Sequence, residues 1–141
     1  MKAAATALIL FSFVTSAFAS VTNSSTSHPL YGKWTWTYAK NNCTEVYDYR
    51  PDNTAAITSG EEQAESRFSI SDKPDLNGFY RMKDVTTKSN GRTGCDGGAG
   101  GTPVGDTVTI YIFFHPTKDE MIMCQEPSFH ACMGPLRRIS Q

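Results

Sequence analysis

The sequence predicts an all-β protein, eight antiparallel strands closed into a single up-and-down barrel. Three observations carry that expectation. Short runs alternate apolar and polar residues with period two, and clusters of Gly, Pro, Asn and Asp separate them. No segment holds a persuasive helical period; "GEEQAESRF" could begin a helical turn but is too short to change the class. The connections are mostly short, which suits a sheet that removes its edges by closure, whereas a two-sheet sandwich needs longer crossovers.

The ends set the compartment. Residues 1–19, "MKAAATALILFSFVTSAFA", read as a secretory signal with Lys2 at its start, an apolar run from Leu8 to Val14 and the small-x-small site Ala17-Phe18-Ala19. That run is too short to span a bilayer, and no later stretch is long enough. Its composition looks bacterial, so the expected location is periplasmic or secreted. Residues 20–28 are Ser/Thr-rich and are expected to form a disordered lead, leaving 29–141 as one domain. Lys2 is one of 13 basic residues, so the mature chain carries 12 against 14 acidic ones. Such a balance argues against a nucleic-acid partner, which calls for a strongly basic face.

The strands follow in order. "KWTWTYA" (33–39) alternates aromatic with small polar residues and turns at "KNN" into "CTEVYDYR" (43–50). "PDN" makes a tight turn into "TAAITS" (54–59), and "AESRFSIS" (64–71) follows with Phe68 and Ile70 in step. "FYRMKDVTTK" (79–88) precedes a long Gly-rich loop at 89–105. "DTVTIYIFF" (106–114), "MIMCQE" (121–126) and "ACMGPLRRI" (131–139) complete the eight.

Gly32-Lys33-Trp34 on the first strand, with Arg137 or Arg138 on the last in "GPLRRI", resembles the lipocalin (calycin) pattern, in a small bacterial form. The resemblance covers the two ends of the domain and the strand count. It implies that Trp34 packs at the closed end of the barrel beneath an Arg from near the C-terminus. Up-and-down topology agrees, since the first strand begins and the eighth finishes at the same end, and closure makes them neighbours.

Cys43, Cys95, Cys124 and Cys132 are an even set in a small exported domain, which predicts two disulfides. All four fall at the mouth in this topology. Bridged residues need Cα atoms within about 7 Å, so strand adjacency favours Cys43–Cys132 with Cys95–Cys124. Cys124–Cys132 with Cys43–Cys95 is the second choice. No cysteine spacing matches a zinc site and no histidine stands in ligand spacing, so neither metal nor cofactor is expected.

Trp36 and Tyr38 share the inward face of Trp34. With Ile110, Ile112 and Met123 they are the candidate lining of a ligand cavity, against the plainer reading that they fill a small barrel. The Gly-rich loop lacks a phosphate-binding pattern and a following helix, so it reads as a loop pinned by Cys95. Glu61, Glu62 and Glu65 read as a solvated turn. No Ser-His-Asp or Cys-His arrangement is present, so no catalytic residue is assigned. The expected function is binding of a small apolar or amphipathic molecule by a monomer. The alternative is a protein-binding module, an inhibitor or immunity protein of a secreted enzyme, that uses the mouth loops.

Overall fold

The computed structural model describes residues 27–140. The secretory signal and most of the lead expected at 20–28 lie outside them. The strands are β1 (Gly32–Thr37), β2 (Thr44–Tyr49), β3 (Thr54–Ser59), β4 (Glu62–Ile70), β5 (Tyr80–Ser89), β6 (Thr107–Phe114), β7 (Glu120–Cys124) and β8 (Cys132–Arg138). Each pairs antiparallel with its neighbours in sequence, and β8 returns to β1, giving a closed barrel. The segment weighed as a helical turn is the hairpin from β3 into β4, with Ser59 opposite Glu62. Among the described residues no helix is long and apolar enough to cross a membrane.

Closure is uneven. β8 meets β1 at only two positions, Trp34 opposite Arg138 and Thr35 opposite Arg137. Further up β8, Pro135 has no N–H to extend that ladder. β6 pairs with β7 only from Tyr111 to Phe114, so its first residues run past the end of β7 without a partner on that side. Both gaps lie toward the mouth.

The closed end is packed solid. Leu30, Trp34, Tyr49, Phe68, Met82, Ile112, Phe114, Met121 and Leu136 form one buried cluster, because the inward phase of every strand is apolar there. Leu30 caps it from below, and its carbonyl accepts the Trp34 Nε1–H at 2.7 Å. Burying each large apolar side chain in such a cluster is worth about 1.5–3 kcal/mol.

Arg138 lays its guanidinium over this end and makes four hydrogen bonds to backbone carbonyls there. It lies 4.1 Å from the Trp34 ring centroid. It donates to the carbonyls of Pro29 at 2.6 Å, Tyr31 at 2.8 Å and Lys118 at 3.1 and 3.2 Å. Arg137, in the opposite phase of the strand, points outward and pairs with Glu120 at 3.1 Å. Gly32 explains the Gly-x-Trp spacing. Its φ is +120°, and a Cβ there would sit 2.8 Å from Arg138 Nη1, so a side chain would be strained in backbone and would collide with the arginine.

The disulfides are Cys43–Cys95 and Cys124–Cys132, not the Cys43–Cys132 and Cys95–Cys124 pairs that strand adjacency favours. Cys124 and Cys132 face each other across the β7–β8 hairpin with Cα atoms 4.0 Å apart. The β5–β6 loop does not stay beside its own strands. It folds back over the mouth and delivers Cys95 to Cys43 at the β1–β2 turn.

Candidate functional site

The mouth half of the barrel is built from the same alternation as the closed half but with polar residues in the inward phase. On β2, Glu45 is in step with Tyr47 and Tyr49. On β4, Glu62 and Ser66 are in step with Phe68, and on β5 Asp84 is in step with Met82. These positions surround a cavity of about 300 Å³, bounded also by Tyr38, Ile57 and Val108, with Asp96 and Asp106 contributed by the loop.

Two of its carboxylates are committed to holding the loop. Glu45 is 6% exposed, and it accepts the Tyr47 hydroxyl and the Ser59 hydroxyl, each at 2.6 Å. Ser59 Oγ in turn accepts the Cys95 N–H at 2.9 Å. Glu62, 8% exposed, accepts the Thr102 N–H at 2.5 Å. It is therefore a buried loop anchor, not part of a solvated acidic turn. Gly94 allows the close approach, since a Cβ there would lie 2.8 Å from Glu62 Oε2 and 3.1 Å from Ser59 Oγ. Glu61 and Glu65 do remain at the surface, opposite Arg92 and Lys88.

Asp84 differs. Its Oδ1 has no hydrogen-bond partner, and neither has Ser66 Oγ on a side chain only 3% exposed. Burial pushes the Asp84 carboxyl upward from its ordinary range, opposed by the nearby Ser66 hydroxyl and the Val85 N–H. The Ser66 dipole eases the charge without geometry good enough for a hydrogen bond. Tyr47 is held well above the usual phenol range, by burial first and then by the Glu45 carboxylate. Among the described residues, the ion pairs involve none of Glu45, Glu62, Asp84, Asp96 or Asp106, and no cluster of His, Cys, Asp and Glu is arranged to hold a metal ion.

A second cavity of about 610 Å³ opens where β6 passes the end of β7, with Val108, Ile110, Met123 and Met133 on its apolar lining. Val108 borders both cavities. The five residues expected to line a ligand site therefore separate. Tyr38 reaches the acidic cavity, and Ile110 and Met123 reach the apolar slot. Ile112 is wholly buried in the closed-end core. Trp36 borders neither cavity; it packs on the core and against the Tyr38 ring at 4.1 Å between centroids.

The acidic lining was missed in the sequence, although a signal for it exists. Glu45, Glu62 and Asp84 stand in the apolar phase of otherwise alternating strands, where a charged residue has to face the interior. No protein-family model, no curated protein and no solved structure matches the chain.

Proposed function

We propose that the protein is an exported, lipocalin-like binding barrel that takes a small amphipathic molecule at its mouth. One observation carries this reading: an acidic cavity and an apolar slot, differently lined, share Val108 at the open end of a barrel whose other end is packed solid. A ligand with a polar head and an apolar body has a place for each part. Two disulfides hold the rim, which lowers the ordering cost of binding, and they fit an oxidising compartment such as the periplasm or the exterior. The closed end takes no part, because its interior is occupied by side chains.

Native mass spectrometry of the mature protein, purified without refolding from the exported fraction of its host, tests the reading. An extra small-molecule mass that leaves on denaturation supports it. A bare monomer that binds no small molecule counts against it and favours the second reading, a module that engages a secreted protein through its mouth loops. The observation behind that alternative is Phe129, exposed in the β7–β8 loop and packed on Phe79 and Phe113 outside the barrel.

A further inference from the structure

We infer that the ligand's polar head is a protonated amine, received by Asp84 and Ser66 in the acidic cavity, with its stem directed past Val108. This rests on the small-molecule reading above and narrows it to one chemical class.

The cavity has a charge that the protein leaves unanswered. Glu45 and Glu62 are buried and hydrogen-bonded, but only by neutral hydroxyls and an N–H. Neither is paired with a cation among the described residues. Removing carboxylates from water without a counter-charge is costly, and a bound cation relieves that cost for all of them together. A metal ion is the poorer occupant, since no ligand cluster is assembled for one.

Hydrogen bonding points the same way. The unpartnered polar atoms among the lining residues are Asp84 Oδ1 and Ser66 Oγ, both buried in its wall. A carboxylate oxygen is an acceptor only, and a hydroxyl can accept as well. An ammonium head brings three donors and no acceptor. Tyr38 and Tyr47 also belong to the lining, aromatic residues of the kind that attract cations. An anionic head would meet carboxylates on several sides, and a neutral alcohol would leave the charge unanswered. The site therefore selects by repulsion as well as by attraction.

Isothermal titration of the disulfide-intact protein at neutral pH and low salt tests this with matched probes. Tryptamine, tryptophol and indole-3-acetate share one ring and differ in the charge of the head; hexylamine replaces the ring with an aliphatic stem. The expected result is that at least one amine binds, that tryptophol binds about tenfold or more weakly than tryptamine, and that indole-3-acetate does not bind. Asp84→Asn keeps the shape of the side chain and should weaken amine binding about tenfold and tryptophol binding by much less, with the fold checked by circular dichroism.

Tryptophol binding as tightly as tryptamine, or Asp84→Asn leaving amine affinity intact, overturns the inference while the binding reading stands. Failure of both amines, with a co-purified molecule that lacks a basic nitrogen, overturns it in the same way. Failure of every probe with bare protein in native mass spectra overturns the binding reading itself.

Discussion

The two halves of this barrel are made from the same strands with the same alternation, yet they are opposite in character. At the closed end the inward residues are apolar, and Arg138, which covers them, makes four hydrogen bonds to three backbone carbonyls and lays its face on Trp34. At the mouth the inward residues include Glu45, Glu62 and Asp84, and no cation answers them among the described residues. One half is apolar inside and ties its arginine to backbone carbonyls, with His28 Nε2 its one unpartnered buried polar atom among the described residues. The other buries carboxyl groups without a counter-charge, an arrangement that costs stability and is tolerated where a site is built.

That contrast can be broken most forcefully at Trp34. Trp34→Ala should remove about 3–5 kcal/mol, because the side chain is fully buried and its indole N–H would leave the Leu30 carbonyl without its donor. Urea denaturation measures this, and an unchanged midpoint would show that the closed end is not the stabilising half. At the mouth, stability should come from covalent ties. The Cys43–Cys95 bridge spans 52 residues and the Cys124–Cys132 bridge spans 8, so chain-entropy scaling assigns about 4 and about 2.5 kcal/mol to them. Paired Cys-to-Ser variants should rank in that order, and peptide mapping of the oxidised protein should recover these pairings.

Arg138 and Arg137 offer a finer comparison on adjacent residues. Arg138→Ala should cost about 2–3 kcal/mol through lost charge-assisted hydrogen bonds. Arg137→Ala should change stability by less than about 0.5 kcal/mol, as an exposed ion pair does. Equal effects would mean that the Trp34–Arg138 contact carries no special weight.

The smallest expected effect has the opposite sign. Asp84 has a folded pKa raised above the ordinary 3.8, with burial as the main cause. Its contribution to folding is fully present below 3.8 and is lost as pH rises through the folded value. Because burial disfavours the ionised form, Asp84→Asn should slightly raise Tm at pH 7 and give no gain in acid. Adding a binding amine should reverse that order, since the wild type gains more from it. Thermal scans at the two pH values, with and without tryptamine, check both statements.

Much of this architecture was legible in the chain. Period-two alternation located all eight strands, and Gly32, Trp34 and the late arginines marked where the barrel closes. The choice between Arg137 and Arg138 was not legible, because one residue of register decides which of them faces inward. The disulfide pairing depended on the path of the β5–β6 loop, which local pattern does not encode. Ile112 shares a face with Ile110, but depth along the barrel separates them, one in the core and the other on the slot. In the chain Asp84 is one strand carboxylate among several, and only Ser66 and Glu62 of the neighbouring strand, around the same cavity, single it out.

The most direct test of the central claim is a residue-resolved amide spectrum of the ¹⁵N-labelled, disulfide-intact protein titrated with tryptamine. Saturable shifts at Ser66, Val85, Thr86 and Val108, with Leu30, Phe68 and Phe114 unmoved, are the predicted result. Shifts centred on the closed end, or on the outer wall around Phe113 and Phe129, would contradict the division of the barrel into a packed base and a receptive mouth.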